Sequence, residues 1–220
     1  MATDCLVFAA LRFEASAVGT LANLPGWQVA RTGVGPANAE RRAEEWIDVV
    51  RPRRLIGIGL CGGLAPSARQ TDVVLPREVV DGQTRDAIVL QQWPVEFVQA
   101  LQRRLGEATG KPDRAKAAVI QGGRMLSVAT VAATPEVKAS LHAEYEASWV
   151  DQETYSWAKC AERRDIPFYA VRVVLDRQTD ELPSWKRPGT WLPALTLPWN
   201  AVKTRRILSH IGRELACARW

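Results

Sequence analysis

Histidine is nearly missing from this chain. Only His142 and His210 occur among 220 residues, each inside a segment of helical pattern, where a histidine is usually packed or solvated. A Ser-His-Asp triad or a histidine-built metal centre therefore lacks its parts. Cysteine is sparse too: Cys5, Cys61, Cys160 and Cys217 are scattered, with no CxxC and no nearby histidine. That spacing offers neither a zinc site nor a disulfide framework, so reduced, mostly buried thiols of a cytosolic protein are expected. No apolar run approaches the ~20 residues needed to cross a bilayer. The stretch Met1–Ala10 also lacks the basic start and long apolar core of an export signal, so a soluble or at most surface-attached protein is expected. An excess of one charge is missing as well. The balance of 29 basic against 24 acidic residues, a net +5, is too mild to point to nucleic acid. Finally, the glycine-rich stretches carry neither the lysine of a phosphate loop nor the order of a dinucleotide fingerprint. No cofactor and no metal are expected.

What is present is an ordinary globular composition, 47% hydrophobic and 24% charged, sized for a single domain over residues 1–220. Strand-like apolar runs lie at Cys5–Ala10, Trp27–Thr32, Leu55–Leu60, Val73–Leu75, Ala117–Ile120, Met125–Val128, Ser148–Val150 and Phe168–Leu175. Helix-like segments alternate with them: Glu14–Leu21, Ala37–Val50, Val95–Leu105, Pro135–Tyr145, Glu153–Arg163 and Ala201–Ala218. Thr134 before Pro135 supplies a capping oxygen and a proline suited to a first helical turn. The alternation predicts an α/β protein with a largely parallel sheet. Asp81–Trp93 reads as a loop with one short strand, and the prolines of Glu181–Asn200 forbid a long uninterrupted helix there.

Open α/β sheets place their chemistry at strand ends, which draws attention to a few charged residues. Glu14 follows the first strand; alone it is simply the acid favoured in a helix's first turn. Glu153 also lies in a first turn. Asp176 ends the last strand and alone reads equally well as a turn aspartate. Arg172 stands inside an apolar strand and needs a buried partner. Asp151 reads as a structural turn residue. The run Gly57-Ile58-Gly59-Leu60-Cys61-Gly62-Gly63-Leu64 is either the floor of a ribose or anion site or a tight turn that leaves no room for side chains. Gly33-Val34-Gly35-Pro36 reads more readily as a turn opening the next helix.

In order along the chain stand Ala10-Leu11-Arg12-Phe13-Glu14, Gly33-Val34-Gly35-Pro36-Ala37-Asn38-Ala39, Gly59-Leu60-Cys61-Gly62-Gly63-Leu64-Ala65-Pro66, Asp72-Val73-Val74, Val150-Asp151-Gln152-Glu153 and Arg172-Val173-Val174-Leu175-Asp176. Together these resemble the nucleoside phosphorylase/nucleosidase superfamily, its methylthioadenosine/S-adenosylhomocysteine nucleosidase branch in particular, over roughly residues 5–180. The resemblance implies a three-layer αβα sandwich around a mixed, partly barrel-like sheet, assembled as a homodimer. It implies that Asp176 protonates N7 of a purine, that Glu14 activates water, and that Glu153 holds the ribose hydroxyls. Arg172 falls where the family keeps a basic group near that water. Leu60, Gly62, Gly63, Gln152, Val128 and Val131 would line the substrate. Gln152 replaces a methionine usual in these nucleosidases, Leu175 a small hydroxyl residue, and Leu60 a small polar one.

Three functions follow from the resemblance. Hydrolysis of a purine nucleoside is expected first, because Glu14 would repel phosphate and the glycine-rich turn offers it only Leu60 and Cys61. A phosphorylase is the alternative, kept open by Arg12 and Arg31. The third is a catalytically weak nucleoside- or lipid-binding relative, to which the replaced residues point. The segment 183–220 holds four of the nine tryptophans and seven basic residues against one acidic. Such a segment suits either a closing helix packed on the core or a dimer interface, or peripheral contact with a membrane. It also resembles the tail of the nucleosidase-like proteins of hopanoid biosynthesis, thought to remove adenine from adenosylhopane, which implies a lipid-linked nucleoside substrate.

Overall fold

A computed structural model describes residues 3–108, 117–182 and 197–218. Its ten strands, in chain order, are β1 (Cys5–Ala9), β2 (Trp27–Arg31), β3 (Arg54–Gly63), β4 (Val73–Leu75), β5 (Glu78–Asp81), β6 (Ala87–Val89), β7 (Val119–Gln121), β8 (Arg124–Ser127), β9 (Trp149–Asp151) and β10 (Phe168–Asp176). The described helices are α1 (Arg12–Ala17), α2 (Pro36–Val50), α3 (Val95–Ala108), α4 (Pro135–Tyr145), α5 (Thr154–Glu162) and α6 (Leu197–Cys217), with a 3₁₀ turn at Gly19–Asn23. The sheet is mixed: β1 pairs in parallel with β2 and β3, and β3 with β10, while β3–β9, β4–β10 and β5–β6 run antiparallel.

Period-2 alternation sorts the strand side chains into two cores. Leu6, Phe8, Leu55, Ala170 and Val174 join Ala39, Ala43 and Ile47 of α2 and Trp157, Ala158 and Ala161 of α5 on one face. Val7, Ala9, Ile56, Ile58, Val171 and Val173 join Leu101 and Leu105 of α3 and Leu208, Ile211 and Leu215 of α6 on the other. Helices thus cover both faces of a mixed sheet, which is the three-layer arrangement expected.

β3 organises the molecule. Its first half pairs with β1 over Arg54–Gly57, and its end pairs with β9 at Gly62 and Gly63. Between those partners, on the same edge, the sheet splits. β10 runs beside β3 along the other edge, from Phe168 against Leu55 to Asp176 against Gly62.

Three expectations change. The glycine-rich run is strand rather than turn, with positive φ at none of Gly57, Gly59, Gly62 and Gly63. Those glycines serve close packing: a Cβ on Gly57 would lie 2.8 Å from both Phe168 and Trp157. The helix expected over Glu14–Leu21 breaks at Val18, and a 3₁₀ turn follows from Gly19, a residue that weakens helices. Strand β5 was not expected, because Val79 and Val80 are only two apolar residues between charged neighbours. Of the proline-rich region, only the start of α6 at Leu197 is described, and the expectations for Trp185, Trp191, Trp199 and Trp220 lie outside the residues whose side chains are described. No helix among the described residues is long and apolar enough to cross a membrane. Cys5, Cys61 and Cys160 are buried free thiols and Cys217 is exposed.

Candidate active site

The split in the sheet leaves backbone N–H groups without strand partners, and such groups must be satisfied. Glu14 satisfies them. Its Oε1 accepts from Leu60 N at 2.9 Å, and its Oε2 accepts from Ala10 N at 3.1 Å and Leu11 N at 2.8 Å. The side chain thus bridges the end of β1, the start of α1 and the middle of β3. It is 2% exposed, and burial pushes its pKa up against those three bonds and the Arg172 charge.

Glu153 occupies the N-cap position of α5 without bonding that helix through its side chain, and its Oε1 accepts from Gly35 N at 2.9 Å. Gly33 and Gly35 adopt φ of 86° and 88°, a conformation that favours glycine. The turn that reads more readily as structural therefore also holds Glu153. Burial first, and then repulsion from Asp151, push the Glu153 carboxyl up to about 7.

Arg172 and Asp151 correct the sequence reading. Arg172 is 1% exposed and does not line the cavity. Its Nη2 pairs with Asp151 Oδ2 at 2.7 Å, its Nε and Nη2 donate to Thr154 Oγ1 at 3.0 and 2.6 Å, and the guanidinium lies 4.7 Å over the Trp157 ring. A Cβ on Gly59 would fall 2.8 Å from Glu14 Oε1 and still nearer Arg172 Nη1. The arginine therefore stands behind Glu14, away from the cavity. Asp151 is not a simple turn residue. It is the counter-ion of Arg172, and it also accepts from Ser127 Oγ at 2.6 Å, from Thr154 N at 3.1 Å and from the Thr154 hydroxyl.

Asp176 ends β10 and is 5% exposed; burial pushes its pKa up while Lys138 pulls it down, with a net rise. Lys138 was missed in the sequence. It is wholly buried on α4, and its ammonium pairs with Asp176 Oδ2.

These side chains surround a cavity of about 250 Å³, just below the ~300–1,000 Å³ usual for small-molecule sites. Glu14, Asp151, Glu153 and Asp176 line it with Leu60, Cys61, Gly62, Val128, Val131, Gln152 and Leu175. Gly63 does not reach it, because the space beside its Cα is filled by Ala68 Cβ and the Asp176 carbonyl. Gln152 is fixed at the rim by Nε2 donating to Ala129 O at 3.0 Å. Asp72 lies elsewhere: buried, it accepts from Arg69 N and Ala118 N, each at 3.2 Å, and ties a loop to the sheet. Among the described residues no cluster of potential metal ligands occurs.

The state of Glu153 has a testable consequence. Folded, it holds its proton up to about pH 7, against an ordinary value of 4.5. Its contribution to stability is therefore present below pH 4.5 and is lost as pH climbs through about 7. Glu153→Gln should raise Tm at pH 8 by roughly 3–8 °C and leave it little changed at pH 4.5. Thermal unfolding at both values checks this, and equal shifts at both would contradict it.

A profile of the Phosphorylase superfamily matches residues 19–211. A search of curated proteins found no sequence match. Among solved structures, 5′-methylthioadenosine/S-adenosylhomocysteine nucleosidase of Helicobacter pylori is similar at 13% identity and a TM-score of 0.73, over 99% of this chain and 100% of that one. Futalosine hydrolase of the same organism is similar at 13% identity and 0.73, over 98% of each chain. A putative methylthioadenosine nucleosidase of Weissella paramesenteroides is similar at 16% and 0.72, also over 98% of each. At these identities the structural matches bear on fold alone, whereas the profile covers most of the sequence, and the chain belongs to the phosphorylase superfamily.

Proposed function

We propose that the chain is a purine ribonucleoside N-glycosidase that hydrolyses a 5′-substituted adenosine to free base and a ribosyl product. One observation carries the choice of water over phosphate. Among the described residues, the cavity lining holds four carboxylates and no lysine or arginine. A bound phosphate dianion needs several cationic or hydroxyl donors and would meet repulsion here. Arg12 and Arg31, the cations that favoured a phosphorylase, are exposed and lie outside the lining. The relatives named as nucleosidases and as a futalosine hydrolase support the same choice.

In this reading the C1′–N9 bond breaks toward a cationic ribose, and the enzyme must neutralise the departing base. Asp176 delivers a proton to N7. Glu14, held by three backbone donors, takes a proton from the attacking water. Glu153, in its ionised form, accepts the 2′- and 3′-hydroxyls through its two oxygens. Gly62 brings bare backbone close to Asp176, and Val128 and Val131 offer aliphatic contact to the base.

The mouth of the cavity favours an apolar 5′ group. Leu11, Val34 and Val131 all line it and are 36%, 45% and 59% exposed. With only about 250 Å³ enclosed, a long substituent would lie across these side chains. A lipid-linked adenosine of the adenosylhopane kind fits this mouth. A homodimer, and peripheral membrane contact through residues 183–220, belong to the same proposal. The replaced residues Leu60, Leu175 and Gln152 all border the cavity and are read here as reshaping the substrate pocket rather than ending catalysis.

Free base released from 5′-methylthioadenosine and from an adenosine bearing a long 5′-alkyl chain, each with and without inorganic phosphate, tests the proposal. Release is expected without phosphate, and kcat/KM is expected to be ~10-fold or more higher for the long-chain substrate, since each buried CH₂ contributes about 0.8 kcal/mol. A requirement for phosphate would refute hydrolysis. Equal use of both substrates would refute the lipid-linked reading. Binding of nucleosides without release would favour the weak or binding relative.

A further inference from the structure

Helix α4 is unusual in what it buries. Its apolar positions form no continuous stripe, and Lys138 is the residue it sends wholly out of solvent. A lysine is almost never buried unless paired, since an unpaired buried charge is costly. Here all three ammonium protons are placed: on Asp176 Oδ2, on Arg177 O at 2.9 Å and on Asp180 O at 2.7 Å. The same segment is tied to the start of α4 by Leu182 N donating to Ala133 O at 2.8 Å. Lys138 thus fastens the chain that follows β10 and holds one oxygen of the acid at its end.

The other charged groups near Asp176 are accounted for. Asp180 is engaged by Arg177 at 3.0 Å and by Gln70 Nε2 at 3.1 Å, and Cys61 lies buried on β3. Glu14 and Glu153, which line the same cavity, are held by backbone N–H groups. Among the described residues, Lys138 is therefore the cation that answers Asp176. An apolar side chain could fill the same space at less electrostatic cost. What it could not supply is a fixed positive charge on the oxygen opposite the one that meets the base.

We propose that Lys138 is the positioning residue of the leaving-group acid, holding Oδ2 of Asp176 so that Oδ1 presents its proton to the base, and stabilising the carboxylate left behind. The inference rests on the nucleosidase reading above. In the step concerned, the electron pair of the C1′–N9 bond goes to the base and the Asp176 proton goes to N7. The resulting carboxylate faces the ammonium. Water adds to C1′ as Glu14 takes its proton, and solvent exchange returns both acids to their starting states.

The test uses the full chain with Lys138→Met, and with Lys138→Gln, which retains a donor for the loop carbonyls should the methionine variant not fold. Two substrates are compared, 5′-methylthioadenosine and 4-nitrophenyl β-D-ribofuranoside, whose phenolate leaves without a proton. On the adenosine, kcat should fall by ~10²-fold with KM little changed, and the alkaline limb of the pH profile should move to higher pH, because the acid has lost its cation. On the nitrophenyl riboside the loss should be ~10-fold smaller or less. Equal losses on both substrates, with the alkaline limb unmoved, would reduce Lys138 to a structural residue and overturn the inference. Asp176→Asn, assayed in parallel, separates the two claims: full release of adenine by that variant would sink the nucleosidase mechanism itself.

Discussion

Replacing Asp176 by asparagine is expected to cut release of purine base by ~10²–10⁴-fold, the contribution of a positioned general acid, while leaving the fold in place. Asparagine keeps the shape and an acceptor oxygen for Lys138, so the buried ammonium retains all three partners. What disappears is the transferable proton. The site is suited to hold one: Asp176 is 5% exposed at the end of β10, and burial raises its affinity for a proton even against the adjacent lysine. Activity that depends on protonated Asp176 is lost as pH rises through its folded pKa, which lies above the ordinary 3.8. Adenine release by the purified variant, with circular dichroism to verify folding, decides the matter. Activity within a few-fold of the parent would remove Asp176 from its assigned role.

Removing Arg172 should produce the largest loss of stability. Arg172→Met keeps much of the volume but leaves Asp151 without its cation, inside a cluster that also holds Glu14 and Glu153. Breaking a buried pair on one side costs about 3–5 kcal/mol. In a chain of this size that lowers Tm by roughly 6–20 °C. The loss should be greatest at alkaline pH. Arg172 opposes protonation of both Glu14 and Glu153, so without it the folded state's excess affinity for protons over the unfolded chain grows. Stability then falls as pH rises. Thermal unfolding of the variant at pH 5 and pH 8 measures this, and a Tm within about 2 °C of the parent at both would mean that Asp151 finds other compensation.

How far the sequence carried the structure differs from residue to residue. Glu14, Glu153 and Asp176 were legible as acids that meet at one cavity because their order along the chain resembles a known family, although each alone is an unremarkable acid. The two helical faces of the sheet were legible from alternation, and α4 was located residue for residue by Thr134 and Pro135. Lys138 was invisible for a physical reason. A lysine in a helix with weak amphipathic pattern reads as a solvated residue, and its burial is created by residues 176–182 closing over it. Arg172 announced its need for a buried partner but not which one. Strand alternation places Asp151 on the same face of β9 as Trp149, a signal that could have marked it as buried. The glycines of β3 misled, because they suit a turn as well as a crowded strand. Only the three-dimensional meeting of Trp157, Phe168, Arg172 and Glu14 separates those cases.

The way the three carboxylates proposed to do the chemistry are held bears on how such a site drifts over evolutionary time. Glu14 and Glu153 are oriented by main-chain N–H groups of Ala10, Leu11, Leu60 and Gly35. No single substitution except one to proline deletes such a donor outright, so the halves of the site proposed to handle water and sugar are vulnerable chiefly at Gly35, whose φ is 88°, and at Gly59, where a Cβ would crowd Glu14. Asp176 instead depends on one side chain. If Asp176 acts as proposed, a single codon change at position 138 retunes or silences the leaving-group half while the remainder of the pocket stays built, which makes α4 the place where relatives of this chain are expected to diverge between turnover and mere nucleoside binding.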